Sequence, residues 1–405
     1  MFVVSLNGGA PLAVLAHDSR SWACYDCGKC TATCPIARAG GHYSPRRQVL
    51  AALAGDREAL VAGDAHLKCL TCALCEERCP AEVAFIDLVR ELRVVMRKEV
   101  PEPDCPHGGA LQSIMRMMAR GGTAQDRLGW IGPDLRTERT TGTVFYWAGC
   151  AAYFDAFFTE YELAATDASR AAVALMNRAG VTPVVSPDER CCGHDLLWNG
   201  DREGFERLAK QNVELVAASG AETLVTSCAE CLRTWAIDYR PYFRGKVPRM
   251  LHVTQFIAEH AGELGLTPGH GAAGETRRVT YQDPCRLARH LGIYEAPRDV
   301  LRALPEIELV EMRKHGASAT CCAGGTWSYC DRYAKKIQVD RLREARATGA
   351  ELLVTACPKC QIHFRCAMKD PRLGEEIGIA MRDVAQLALE ALDRSPTTTG
   401  TATRG

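Results

Sequence analysis

The chain lacks an apolar run of about 18 residues, so no membrane-crossing helix is expected. It also lacks net charge, because 49 Lys+Arg offset 49 Asp+Glu. Nothing then supplies the broad basic field that nucleic acid binding needs, Arg46-Arg47 being only a local basic pair. No G-x-G-x-x-G opens a helix after a strand, which leaves no nicotinamide or flavin fingerprint. The apolar start, MFVVSLNGGAPLAVLA, lacks a basic leader region and is broken by Asn7, Gly8, Gly9 and Pro11. It reads as a short strand or hairpin rather than a signal peptide.

Cysteine is abundant, with 21 residues in a chain of 405. Disulfide scaffolds are small, secreted and loop-rich. This chain is large and 47% hydrophobic, so metal-bound thiolates in a reducing cytoplasm are the expectation, in two to three domains.

Eight cysteines form C-x2-C-x2-C-x3-C-P twice: Cys24, Cys27, Cys30, Cys34 with Pro35, and Cys69, Cys72, Cys75, Cys79 with Pro80. In two-cluster ferredoxins the fourth cysteine of each run ligates the other cluster. The spacing therefore predicts Cys24, Cys27, Cys30 and Cys79 on one cubane [4Fe–4S] cluster. Cys69, Cys72, Cys75 and Cys34 would hold the second. Structural zinc needs four ligands, not two interleaved runs of four. The insert between the runs reads as helical, and so does 83–99, with Val83, Ile86, Val89, Leu92 and Met96 near one face.

Ten more cysteines form a second duplicated pattern. It runs Cys150, Cys191-Cys192, Cys228-x2-Cys231, then Cys285, Cys321-Cys322, Cys357-x2-Cys360. Cys285 follows Cys150 by 135 positions, Cys321 follows Cys191 by 130 and Cys357 follows Cys228 by 129. Strand-like VFYWAG, VTPVVS and ETLVTS alternate with helical segments in the first copy. RVTYQDP, IELVEM and ELLVTA do so in the second, and Gly180, Gly220 and Gly349 fall at helix ends. This is β-α-β-α-β twice, implying parallel sheets with the cysteines just beyond the strand C-termini, where ligands gather.

The expected organisation is therefore a ferredoxin-like domain over 20–100, a linker over 101–142, and half-domains over 143–266 and 275–392. Gly265 to Gly274 reads as the hinge, and 393–405 as a disordered tail.

Five thiols per site exceed what one cubane or one zinc requires. A vicinal pair suits an irregular cluster in which one thiolate bridges two irons. On these motifs the chain resembles the D-type subunit of heterodisulfide reductase, a natural fusion of the C-type ferredoxin domain with the B-type duplicated CCG domain. The likeness spans about 20–390 and includes all the motif cysteines. It implies two pseudo-symmetric, β-α-β Rossmann-like half-domains. It also implies a non-cubane [4Fe–4S] cluster on Cys150, Cys191, Cys192, Cys228 and Cys231, and another on Cys285, Cys321, Cys322, Cys357 and Cys360. A disulfide would lie between these two clusters. Cys192 and Cys322 form the expected catalytic set, with His194 as candidate proton donor.

The second copy departs from the family with Ala323 where Gly is usual. If that position needs φ > 0, the adjacent Gly324-Gly325 are expected to absorb the turn. A zinc-filled or vacant second site is the alternative there.

Other residues read more plainly. Cys105, Cys330 and Cys366 are left over and expected to be buried, free thiols. His290 and His363 read as loop histidines and Lys359 as a solvated turn residue. Tyr146, Trp147, Tyr153, Phe154, Phe157 and Phe158 read as packing that keeps water from a cluster.

Two functions follow as expectations. One is an oxidoreductase subunit acting on a disulfide or dithiol, fed by two cubane clusters and working in a complex. The alternative is an electron-transfer subunit that links a flavoprotein dehydrogenase, of the glycolate, lactate, glycerol-3-phosphate or acyl-CoA type, to quinone or a membrane cytochrome. The intact pairs Cys228/Cys231 and Cys357/Cys360 favour the first, because glycolate-oxidase-type relatives lose one cysteine of each. Either requires a redox partner such as a flavoprotein. Membrane association would come through a partner of the cytochrome b type.

Overall fold

The computed structural model describes residues 12–97, 106–120, 122, 125–266 and 276–394. The N-terminal cysteine runs lie in a helical segment. Ser44 caps the helix Pro45–Ala54 by accepting a hydrogen bond from the Arg47 N–H, Pro45 stands in its first turn, and Gly55 ends it at φ 69°. The helix Phe85–Met96 buries Ile86, Val89, Leu92 and Met96 on one face. Leu12–Asp18 is a helix, not the expected strand or hairpin. Leu12, Leu15 and Ala16 share one helical face and bury it against the two helices just named. The rest of that reading, and nearly all of the hinge, the tail and Cys105, lie outside the described residues.

Two parallel sheets follow. The first contains β1 (Val144–Trp147), β2 (Thr223–Thr226) and β3 (Arg249–His252), side by side in that order. The second contains β4 (Arg277–Gln282), β5 (Ile307–Leu309), β6 (Leu352–Thr355) and β7 (Ala380–Asp383), in the order β5-β4-β6-β7. The expected strand over 181–186 is reduced to bridges from Val184 to Phe145 and Glu138. Pro183 has no N–H to extend the ladder. Val184 nonetheless lies beside β1 as β5 lies beside β4, so the two halves share one strand order. Gly180, Gly220 and Gly349 take φ values of 80°, 74° and 69° at helix ends.

The halves exchange helices reciprocally. The first half's Ala165–Arg178 packs on the second half's Val384–Arg394, and its Val253–Glu259 packs on the second half's Glu295–Ala303. One apolar core runs through both, containing Val173, Leu175, Ile257, Leu301 and Leu387. This reciprocity sets the ends of the two sheets facing each other.

Candidate functional site

In each ferredoxin-type run, tight turns wrap the chain around a small volume. Asp26 and Gly28 in the first run, and Thr71 and Ala73 in the second, all take positive φ. The Asp26 N–H donates to the Cys24 Sγ at 3.4 Å, and the Thr71 N–H to the Cys69 Sγ at 3.3 Å. The vicinal pairs repeat this device. Gly193 (φ 71°) donates to Cys191 Sγ and Ala323 (φ 58°) to Cys321 Sγ, each at 3.3 Å. In all four loops a left-handed residue two positions after a cysteine aims its N–H at that sulfur. This backbone costs a non-glycine residue about 1–2 kcal/mol. Ala323 takes the turn itself, so Gly324-Gly325 do not absorb it.

The structure brings Cys79 beside Cys24 and Cys30, with Cys27 exposed on the same loop. It brings Cys34 beside Cys69, Cys72 and Cys75, and all four of these are buried. Cys150 meets Cys191, and the Cys192 and Cys231 sulfurs lie 3.5 Å apart, with Cys228 against Cys231. In the second half Cys360 meets both Cys322 and Cys357, and Cys285 lies near Cys322.

Two contacts then link the groups. The Cys72 thiol interacts directly with Cys321, and Cys228 interacts directly with Cys357. A near-continuous file of sulfur runs from the buried ferredoxin-type group through the second half-site to the first.

All-sulfur donor sets with N–H groups aimed at them fit iron–sulfur clusters. Burial pushes the Cys34 and Cys285 thiols up to about 12, so deprotonation there is coupled to metal capture. Cys330 is exposed and Cys366 half-buried, the latter 2.9 Å from the Lys335 ammonium, so neither is the fully buried thiol expected.

Lys359 corrects the sequence reading outright. It is buried, not solvated, and its Nζ lies 2.5 Å from Asp195 and 2.8 Å from Glu230. Glu230 and Lys359 occupy matching positions in Cys-Ala-Glu-Cys and Cys-Pro-Lys-Cys. That opposition of charge was the signal, in the sequence, that the two motifs meet. His194 Nδ1 sits 3.1 Å from Asp195 and 3.5 Å from Glu230. His194, Asp195 and Glu230 have the composition of a metal site, but the ammonium already stands where a cation would.

Burial and then Arg286 lower the His194 imidazole to about 3, so it is neutral at ordinary pH. Burial raises Glu230 to about 8 despite Lys359. Burial also works against the Asp195 carboxylate, yet Lys359 and His194 outweigh it and hold the group well below its usual range. Burial drives His290 and His363 well below the ordinary histidine range.

Sequence reasoning missed a set of buried arginines. Arg286 donates to the Thr71 carbonyl at 2.8 Å and lies over the Trp198 ring at 4.2 Å, and Arg289 donates to the Cys72 carbonyl at 2.7 Å. Arg93 donates to the carbonyls of His66, Leu67, Cys69 and Trp198, at 2.7 to 3.0 Å. These clamps bind the second ferredoxin-type loop to both halves. Tyr146, Trp147, Phe154 and Phe158 are buried, while Tyr153 and Phe157 are half-buried. Trp327, from the loop after Cys322, stacks on Phe158 at 5.7 Å and so joins the first half's aromatic cluster.

The family described as "Cysteine-rich domain" (CCG) matches residues 144–235 and 279–365, and "4Fe-4S dicluster domain" matches 21–83. The chain is 27% identical, over 92% of its length and 94% of the relative, to the D-type subunit of the dihydromethanophenazine:CoB–CoM heterodisulfide reductase of Methanosarcina barkeri. A dicluster domain followed by a duplicated cysteine-rich domain makes this chain similar, over nearly its whole length, to D-type heterodisulfide reductase subunits. The chain is an iron–sulfur oxidoreductase subunit related to these proteins, and the relatives are themselves subunits of multi-subunit reductases.

Other relatives match the chain to different extents. The B-type subunit of the fumarate reductase (CoM/CoB) of Methanothermobacter marburgensis is 26% identical over 87% of this chain and 69% of its own length. "Probable membrane-anchored ferredoxin" of Chromohalobacter salexigens is 28% identical over 97% of this chain and 64% of its own length. In this chain no helix among the described residues is long and apolar enough to cross a membrane.

Proposed function

We propose that the chain reduces a disulfide, or oxidises a dithiol, at the paired five-cysteine sites. The observation that carries this reading is the 2.8 Å Lys359–Glu230 ion pair, which joins matching positions of the two half-sites and sets Cys228 beside Cys357. A single bond with one sulfur on each side spans such a pair. Two cubane clusters, on Cys24, Cys27, Cys30 and Cys79 and on Cys69, Cys72, Cys75 and Cys34, and two non-cubane clusters on the ten remaining motif cysteines, would supply electrons one at a time. The half-domains are proposed to be Rossmann-like.

The protein's own groups do the rest. The Cys72–Cys321 contact makes the second half-site the point where the ferredoxin-type segment hands over. Trp327, Phe154 and Phe158 keep water from the pair. Lys359 lines the same small cavity as Cys357 and Cys360, where its charge offsets negative charge gathering on sulfur. Glu230, raised to about 8 and so protonated at neutral pH, sits beside Lys359 and His194 next to the pair, and it can pass that proton to a product thiolate while His194 and Asp195 hold it in place. The chain would work in a cytoplasmic complex with a flavoprotein or a similar redox partner.

The test is iron and sulfide content with EPR on anaerobically purified protein. About sixteen irons per chain are expected from four [4Fe–4S] clusters, with a new S = 1/2 signal on thiol addition. About eight irons with zinc would overturn the paired site. The likeness to a membrane-anchored ferredoxin supports a second reading, electron transfer to quinone or a cytochrome without a disulfide. Full iron content with no thiol-dependent signal would favour that one.

A further inference from the structure

One cleft lies away from the paired cysteine sites. It holds about 860 Å3 between the ferredoxin-type segment and the second half-domain. That volume lies in the range of small-molecule sites, about 300–1,000 Å3. Arg38 and Arg78 line it from the first side, and Arg313, Lys314 and Arg341 from the second.

Its acids are already engaged. Glu311 pairs with Arg298 at 2.7 Å, Asp340 with Lys336 at 2.5 Å and Glu344 with Arg341 at 2.8 Å. Arg38, Arg78, Arg313 and the Lys314 ammonium form no ion pair among the described residues. Arg341 provides the independent observation. Its side chain is fully buried, Nε donates to Gln282 and Nη1 to the Lys314 carbonyl, yet Nη2 has no partner. A buried guanidinium N–H without an acceptor costs about 1–3 kcal/mol, and its positive charge stands unopposed on that side behind the cleft wall. Burial and then the neighbouring Arg38 charge lower the Lys314 amine, as expected where cations crowd. Hydroxyls of Thr33 and Thr320 add neutral donors.

We infer that this cleft binds a small polyanion, one carrying phosphate, sulfonate or carboxylate groups, and clasps it between the ferredoxin-type segment and the second half-domain. The site is separate from the paired cysteines, and the inference does not depend on the function proposed above. Its position ties it to electron entry all the same. Thr33, Leu74 and Thr320 of its wall each precede a motif cysteine, Cys34, Cys75 and Cys321. An anion seated here would bear on the junction at which Cys72 meets Cys321.

The experiment is calorimetric titration of the anaerobic holoprotein with inorganic pyrophosphate at low ionic strength. One saturable site per chain is expected. The double variant Arg38→Gln/Arg313→Gln changes two exposed side chains and should weaken binding at least about tenfold, or about 1.4 kcal/mol. Arg207→Gln, an exposed change on the Arg202–Ala218 helix, should leave the affinity unchanged. The inference is overturned if no saturable heat appears or if the double variant binds as tightly as the parent. It is also overturned if Arg207→Gln weakens binding equally, since that would mark diffuse attraction to any basic surface.

Discussion

Replacing Lys359 with Met should cost about 3–5 kcal/mol, because it removes one member of a buried ionic cluster and strands the others. The side chains keep nearly the same volume, so packing changes little. What changes is the field. Asp195 and Glu230 face Nζ at 2.5 and 2.8 Å, and the Asp195 side chain is 5% exposed. Without the ammonium, two carboxyls and a neutral imidazole face one another with water excluded. The assay is anaerobic guanidinium unfolding followed by tryptophan emission, since Trp327 lies 5.0 Å from Nζ. Adding Asp195→Asn and Glu230→Gln removes the stranded charges, so the triple variant should recover most of the loss rather than add to it. The exposed pair Lys246–Glu222 at 2.6 Å is the control, and Lys246→Met should not move the midpoint. A loss below about 1 kcal/mol in Lys359→Met, or strict additivity in the combined variant, would refute the claim that burial makes this cluster matter.

Cys192→Ser should abolish disulfide chemistry and leave the cubane EPR signals intact, and loss of those signals in a folded variant would contradict separate cluster sites. Arg93→Met strands four buried carbonyls, at about 1–3 kcal/mol each. It should make the ferredoxin-type segment the first region released by limited trypsin digestion, and an unchanged digestion pattern would count against the clamp. Burial raises the Asp383 carboxyl to about 7, whereas an unfolded aspartate loses its proton near 4. The folded state therefore binds the extra proton between those values, and this contribution to stability falls as pH rises from about 4 to about 7. Asp383→Asn should flatten that slope, by a few kcal/mol at most at about 1.4 kcal/mol per unit. Parallel stability–pH curves for parent and variant would exclude this assignment.

Long amphipathic helices and strands beside cysteines were legible in the sequence, because period and spacing carry them. The helices Phe85–Met96 and Arg202–Ala218 fall inside the segments read as helical, 83–99 and 202–220, and Arg332–Arg346 starts one residue ahead of the segment 333–349. β3 and β7 were not legible. Each is four residues long, and Arg249, Arg382 and Asp383 interrupt any apolar alternation, so pairing to β2 and β6 makes them strands. The left-handed turn at Thr71 was equally hidden, since a β-branched residue disfavours such a backbone, and at Ala323 the turn was foreseen but assigned to Gly324-Gly325. The N–H groups that these turns aim at sulfur explain them, and spacing does not encode that direction. Lys359 was misread for a related reason. Its burial depends on Asp195 and Glu230, which come from the other half-domain.

The opposed charges of Glu230 and Lys359 have a consequence for how such a duplicated protein can assemble. The two half-domains are alike enough that a first half would be expected to dock on another copy of itself. That pairing would bring two Glu230 carboxyls together without an ammonium between them. Two second halves would meet through a pair of Lys359 ammoniums, and Gly325 would stand where Asp195 accepts the charge. Neither self-pairing closes electrically, and only unlike halves do. The duplicated halves are in this way made unlike by charge, and the covalent link between them joins partners that their own charges already select.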